Sequence, residues 1–231
     1  MTGERAERIG AASGIAFAAL VILGFFVAGR PPKLADGAAP LAQYFADNRG
    51  GILIAAYLGG LAIAFFVWFL GSLATTLRSA GEERMATIAV GGGLVAAALA
   101  IGGIGISASL AHAAPPGGVI AAASVEPLYR LEWLALTAAS FPIAALAWAT
   151  AVAVFRTGVL PRWVAWLSTV GTIVFLIGGA TFARDGLFAP DGAWALLAYF
   201  AFVAWTAVVS AVLVQHVGAP REAPKPATAA T

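Results

Sequence analysis

The chain has no cysteine and only two histidines, His112 and His216, among its 231 residues. Without thiols it can form no disulfide, no iron–sulfur cluster and no thioether link to haem, and thiol catalysis is excluded. Two histidines are too few for a histidine-rich metal site. No residue pattern indicates a cofactor, so we expect neither a metal nor a cofactor.

Charged residues are also scarce, at 10% of the chain, whereas a soluble domain has about 25%. Hydrophobic residues make up 61% and the mean hydropathy is +0.91. The net charge is only +2, and the basic residues are spread along the chain, which excludes a nucleic-acid-binding patch. This composition is typical of an integral membrane protein.

No Asp, Glu, Lys or Arg stands near the middle of any long apolar run. Proton-coupled transporters, charge-lined channels and intramembrane carboxylate enzymes need such groups, so their absence argues against these three classes. The motifs G-x-S-x-G, H-E-x-x-H and G-x-x-x-x-G-K-[ST] are absent as well. Any reactive group is therefore expected at the ends of the membrane spans.

The chain does contain a long smooth run, Ala86–Leu110, with six glycines, no charge and no aromatic ring. A bilayer-spanning segment must bond its own backbone as a helix, and about 20 apolar residues suffice to cross. Small side chains let neighbouring helices approach closely. This run is predicted to be the centre of a membrane bundle.

Five further apolar runs predict an all-α fold, a polytopic bundle of six transmembrane helices. Residues 1–8 are read as a cytoplasmic leader and 217–231 as a disordered cytoplasmic tail rich in proline, alanine and threonine. The predicted spans are 9–29, 52–77, 86–110, 128–155, 163–182 and 193–216.

The first connection predicts a short amphipathic helix between Pro40 and Gly50, because Leu41, Tyr44 and Phe45 recur at helical spacing. We expect it to lie in the membrane interface, and a packed loop turn is the alternative.

Prolines and glycines at 115–118 stop the third helix, and the apolar stretch Val119–Val125 is too short to cross. Pro127 is expected in the first turn of the fourth helix, and Pro142 predicts a kink within it.

Basic residues predict the orientation. Eight of the 13 lie in the leader, the second and fourth connections and the tail, and five lie in the other three connections. We therefore expect a multi-pass protein of the bacterial cytoplasmic (inner) membrane with both termini cytoplasmic.

The best candidate site is a polar cluster at the outer face, made of His112, Glu126, Arg130 and Glu132. Glu126 and Arg130 are one helical turn apart and can form an ion pair. Glu132 can meet His112 from the third span, which would give an acid–base pair. The alternative is a set of salt bridges that anchors the fourth helix, and no catalytic residue is assigned.

The other polar residues have structural interpretations. Asp191 precedes Gly192 and is expected to cap the sixth helix. Hydroxyl groups inside the spans are expected to bond their own helix or a neighbouring one.

The chain has three short stretches typical of membrane-helix ends: Leu41–Phe45, Ser72–Arg78 at the end of the second span, and Val159–Trp163 before the fifth. In these stretches the chain resembles a family of small bacterial multi-pass membrane proteins known only as a domain of unknown function. The resemblance extends over most of the chain and implies six helices, and it implies no catalytic residues.

Two functional hypotheses follow. The first is a helical bundle that binds or scaffolds membrane lipids, a partner membrane protein or a second copy of the chain. The second is an enzyme or carrier for a neutral lipophilic small molecule, with its polar site at the outer interface. The missing catalytic motifs favour the first, and with it a protein that is not an enzyme.

Overall fold

The computed structural model describes residues 3–114 and 122–217, and every regular element within them is helical, as the sequence predicts. The stretch 115–121 and the predicted tail after residue 217 lie outside the described residues. The described part of the chain contains the α-helices α1 Gly3–Ala28, α2 Ala38–Asp47, α3 Arg49–Ser79, α4 Glu83–Ala113, α5 Ala122–Thr157, α6 Arg162–Gly178 and α7 Ala193–Val217.

The six longer helices form a ring in the order α1, α3, α4, α5, α6, α7, and α7 closes it on α1. Neighbours in the ring are antiparallel. Where α1 ends and α7 begins, the rings of Phe25 and Phe200 are 5.3 Å apart. At the other end, the Ser210 hydroxyl donates a hydrogen bond to the carbonyl of Ala11. We call the end at which α1, α4 and α6 finish the mouth end, and the opposite end the closed end.

The outside of the ring is apolar. Phe26 is 76% exposed, and Tyr57, Trp68 and Trp166 are also largely exposed. Water would penalise so large an apolar surface, whereas lipid chains would not. Within residues 3–114 and 122–217, five helical segments are long and apolar enough to cross a membrane: Glu7–Ala28, Arg49–Ser79, Glu83–Ala113, Ser124–Thr157 and Ala193–His216.

The predicted fifth span, 163–182, is shorter in the structure. Its helix α6 has 17 residues and ends at Gly178, because the chain there enters a tight turn. In that turn the Gly179 amide donates to Phe175 and the Ala180 amide donates to Ile177. The described part of the chain therefore has five long candidate spans and one shorter apolar helix where six spans were expected.

Helix α2 lies at the mouth end, in the first connection. Its side chains Leu41 and Phe45 are buried, as their spacing indicated. They form a small core with Ile52 of α3, Leu110 of α4 and Val125 of α5. Helix α2 thus packs across the ends of three helices.

The fourth span begins earlier than predicted. Helix α5 starts at Ala122, so Pro127 lies inside it rather than in its first turn. Val125, which was assigned to a separate apolar stretch, is fully buried in the α2 core. Pro127 could have been the first residue of the helix. Packing against α2 instead favours a helix that begins five residues before it, at Ala122.

Candidate functional site

The mouth half of the ring encloses a cavity of about 430 Å³. All six ring helices and α2 contribute to its walls. Much of the wall is made of small or apolar side chains, including Ala56, Gly59 and Ala100. Because these side chains are short, the ring helices leave space between them.

Four phenylalanines line the deepest part of the cavity, on the side of the closed end. The ring of Phe66 is 5.2 Å from that of Phe17 and 5.4 Å from that of Phe202, and Phe175 is 6.1 Å from Phe202. Edge-to-face and tilted rings at these distances pack tightly. This aromatic floor separates the cavity from the densely packed closed half.

Glu132 of α5 lines the cavity wall. Its carboxylate accepts a hydrogen bond of 2.5 Å from the Ser107 hydroxyl of α4. Gly103 lies one turn below Ser107, and a Cβ added there would be 3.4 Å from Cγ of Glu132. The glycine therefore makes room for the glutamate between the two helices.

This position differs from the expectation that charged groups lie only at the span ends. Glu132 is inside the candidate span Ser124–Thr157, about 12 Å from its start at 1.5 Å per residue. It faces inward because Tyr129, Leu136 and Ile143 follow the same helical spacing and also line the cavity. The carboxylate belongs to the interior of the ring.

The structure separates the predicted polar cluster into three parts. Arg130 pairs with Glu126 at 2.9 Å on the surface of α5, as their spacing suggested. His112 is exposed. Among the described residues, no hydrogen bond or ion pair joins His112 to Glu132, so the expected acid–base pair is absent. The partner of Glu132 is Ser107, whose side chain is closer to the cavity along α4.

Aromatic side chains share the cavity with the carboxylate. Tyr44, Tyr129 and Tyr199, from α2, α5 and α7, all line it. Trp133 also lines the cavity, and its ring is 6.2 Å from that of Tyr129. Its buried Nε1 forms no hydrogen bond of normal geometry within the described residues, although the Tyr129 hydroxyl lies close to it. The polar end of the cavity is therefore rich in aromatic rings and incompletely hydrogen-bonded.

Tyr44 connects this polar end to the mouth. Its hydroxyl donates a 2.9 Å hydrogen bond to the carbonyl of Ala28, the last residue of α1. Burial, and then the negative charge of Glu132, raise the pKa of Tyr44 to about 12. The phenol is thus a neutral donor at physiological pH.

The first connection crosses the mouth. Residues 30–33 line the cavity there, after Gly29 turns the chain with φ +77°. The Leu34 amide donates a 2.7 Å hydrogen bond to the carboxylate of Asp191, in the connection before α7. Asp191 was expected to cap the sixth span, and the structure shows it holding the first connection instead. We call residues 29–47, which include α2, the lid.

Sequence reasoning missed the aromatic residues Trp133 and Tyr199. Tyr129 and Trp133 are one turn apart and flank Glu132, so a glutamate among aromatics inside an apolar helix was a readable signal. Tyr199 gave no such signal, because only the closure of α7 on α1 brings it near α5.

The arrangement suits binding better than acid–base chemistry, since within the described residues no histidine or carboxylate is hydrogen-bonded to Glu132. Asp191 also lines the cavity, but its carboxylate is hydrogen-bonded to the Leu34 amide. In residues 3–114 and 122–217 no group of three or more His, Cys, Asp or Glu residues is placed to hold a metal ion. Comparison of the chain with family models, curated proteins and solved structures gives no match.

Proposed function

We propose that this helical membrane protein binds a lipophilic small molecule in the cavity of its mouth half. One observation carries the proposal: a largely apolar cavity of about 430 Å³ has a polar end whose groups are incompletely paired. At that end Trp133 Nε1 forms no hydrogen bond of normal geometry in the described residues, and Glu132 has a single donor. Concave apolar sites with a few polar groups are the usual form of small-molecule sites.

The cavity favours a ligand-binding role over a pure scaffold, because a scaffold needs only outer surfaces. The scaffold hypothesis retains one supporting feature. Gly91, Gly102 and Gly105 of α4 lie on the outside of the ring, where an added Cβ would contact nothing within 4 Å. This smooth face suits lipid chains or a helix of another protein.

In the membrane, we propose that all six ring helices cross. The 17 residues of α6 extend about 25 Å, and the turn after it adds to this length toward the roughly 30 Å of the hydrocarbon core. The basic residues support a closed end in the cytoplasm, with both termini there, and a lid in the outer interface of a bacterial inner membrane.

Single cysteines test this topology, since the chain has none of its own. A membrane-impermeant maleimide added to intact cells is expected to label Lys33→Cys in the lid and Asp185→Cys before α7. It is expected to spare Arg84→Cys at the closed end until the membrane is opened. Labelling of Arg84→Cys in intact cells would reverse the proposed orientation.

The ligand proposal is tested by filling the cavity. Ala100 of α4 lines the cavity, whereas Ala98 is exposed on the outside of the same helix. Native mass spectrometry from mild detergent is expected to show one lipophilic molecule per chain for the wild type and for Ala98→Phe. Ala100→Phe is expected to lose it while retaining its helix content.

Two outcomes contradict the proposal. One is a folded wild-type protein that carries no stoichiometric small molecule after gentle extraction. The other is a bound molecule that persists unchanged in folded Ala100→Phe. A stoichiometric protein in place of the small molecule would favour the scaffold.

A further inference from the structure

The carboxylate in the cavity lacks a positive partner. Within the described residues, no lysine, arginine or histidine nitrogen forms an ion pair with Glu132. Arg130, the basic residue nearest in sequence, is paired with Glu126 on the helix surface. A carboxylate in an apolar interior is costly unless a charge or several hydrogen bonds compensate it, and Glu132 has one hydrogen bond, from Ser107.

The side chains near this carboxylate are those that bind organic cations. Tyr44, Tyr129, Trp133 and Tyr199 all line the cavity. The negative face of an aromatic ring attracts a cation, and such rings are the usual binding surface for quaternary ammonium groups. A carboxylate among four aromatic side chains thus offers both charge compensation and a surface for a large, weakly hydrated cation.

The remainder of the cavity determines what the cation must carry. From Glu132 to the floor of Phe17, Phe66 and Phe202, the lining is mainly apolar. A small hydrated ion would gain nothing from such walls, whereas an aromatic or alkyl group would be removed from water.

We infer that the cavity binds a lipophilic organic cation, with its charged centre beside Glu132 and its apolar groups toward the phenylalanine floor. This inference depends on the proposed ligand-binding function and specifies its ligand class. The competing ligand is an anionic amphiphile whose head group meets Arg30 and Lys33 at the mouth.

The test compares two probes of nearly equal size and opposite charge, tetraphenylphosphonium and tetraphenylborate. The full chain is placed in phosphatidylcholine nanodiscs, and binding is measured by titration calorimetry against nanodiscs without protein. We expect saturable binding of one tetraphenylphosphonium per chain and only lipid partitioning of tetraphenylborate.

Substitution of the carboxylate is the central variant. Glu132→Gln is expected to weaken tetraphenylphosphonium binding at least about tenfold, because truncating one partner of a buried charge pair has effects of that size. Glu126→Gln is the matched control, since Glu126 is on the surface of the same helix. Its affinity is expected to remain within about twofold of the wild type, the effect of an exposed charge.

Tyr199 gives a second test that keeps the carboxylate, in case Glu132→Gln does not fold. Tyr199→Leu is expected to weaken binding about threefold, as loss of one cation–aromatic contact implies. Tyr199→Phe, which keeps the ring, is expected to bind like the wild type. Circular dichroism establishes that each variant is folded before binding is compared.

Four results would overturn the inference: equal saturable binding of both probes, saturable binding of tetraphenylborate alone, no saturable binding of either probe, or unchanged tetraphenylphosphonium binding in folded Glu132→Gln and Tyr199→Leu. The two proposals can fail separately. If a small molecule co-purifies with the wild type but not with Ala100→Phe, the proposed lipophile site stands, and any of these results rejects only the cationic ligand.

Discussion

The two halves of the ring use the same small residues to opposite effect. In the closed half, Gly93 of α4 receives the Leu70 side chain of α3, so close that an added Cβ would lie 2.5 Å from it. In the mouth half, Ala56 of α3 and Ala100 of α4 line the cavity with short side chains. A small residue thus permits close packing where a large side chain fills the space beside it, and contributes to a cavity where none does.

Polar groups differ between the halves in the same way. In the closed half, Trp205 Nε1 donates a 3.0 Å hydrogen bond to Ser168. Glu82, which is only 8% exposed, pairs with Arg156 at 3.1 Å. In the mouth half, Trp133 Nε1 forms no hydrogen bond of normal geometry among the described residues, and Glu132 has no cationic partner there. Complete pairing is typical of a structural role, and the incomplete pairing in the mouth half is the feature on which the proposed ligand site depends.

The largest effect is expected from a methyl group added where two helices touch. A Cβ at Gly92 would be 2.5 Å from the Pro142 carbonyl oxygen and 3.2 Å from the Leu146 amide nitrogen, both rigid backbone atoms. Gly92→Ala should therefore destabilise the bundle by about 3 kcal/mol, the upper range for overpacking. Thermal unfolding in detergent measures this loss.

Its control is the adjacent glycine. A Cβ at Gly91 would meet nothing within 4 Å, so Gly91→Ala should leave the unfolding temperature equal or slightly raised. Equal behaviour of the two variants would show that α4 and α5 are not in close contact at Pro142.

The next prediction compares added volume in the two halves. Ala89 of α4 is 1% exposed in the closed half, so Ala89→Leu should cost about 2 kcal/mol of stability. Ala100→Leu places the same atoms in the cavity and should cost little or stabilise the fold. Unfolding curves of both variants in the same detergent measure the two losses of stability. Equal losses would contradict the difference in packing between the halves.

A smaller effect is expected at the hydroxyl that holds Glu132. Ser107→Ala removes the single donor of a carboxylate and should reduce stability by about 1 kcal/mol. Ser109, on the same helix, is exposed and donates to its own helix at Gly105. Ser109→Ala should therefore be neutral in the same unfolding assay. A neutral Ser107→Ala would indicate that the bond to Glu132 is not needed for folding.

The smallest effect concerns the lid and is local. Asp191→Ala removes the acceptor of the Leu34 amide, so hydrogen exchange across residues 30–37 should accelerate about tenfold while global stability changes little. Mass spectrometry of peptides from the lid follows this exchange. Asp185→Ala, at an exposed position of the same connection, should leave it unchanged. Acceleration in both variants would mean that the connection as a whole, rather than the Asp191 contact, restrains the lid.

Much of the fold was readable because it depends on local pattern. Apolar runs with turn residues between them gave the all-helical bundle, and the spacing of Leu41 and Phe45 gave the buried face of α2. Helix ends were predicted less well where tertiary packing sets them. Helix α5 begins before Pro127, and Val125 is buried against α2. The amino acids at 119–127 alone do not indicate this contact.

The candidate site was readable only in part. Glu132 was singled out, and the spacing of Glu126 and Arg130 gave their ion pair. The predicted partner of Glu132 was wrong: His112 and Ser107 are five positions apart on α4 and about 140° apart around it. The rotation and the axial alignment of α4 against α5 together choose Ser107. Tyr199 of α7 reaches the site through ring closure, and Tyr44 reaches it because α2 packs on the ends of α3, α4 and α5.

By itself the sequence determined that the chain is an apolar helical bundle, because hydropathy and helical periodicity are properties of consecutive residues. The tertiary structure alone decided that Glu132 faces a cavity, that Ser107 is its donor, and that Asp191 holds the lid. These features depend on which helices become neighbours and on their axial alignment. Both are set by the fit of small residues against the side chains and backbone of the neighbouring helices.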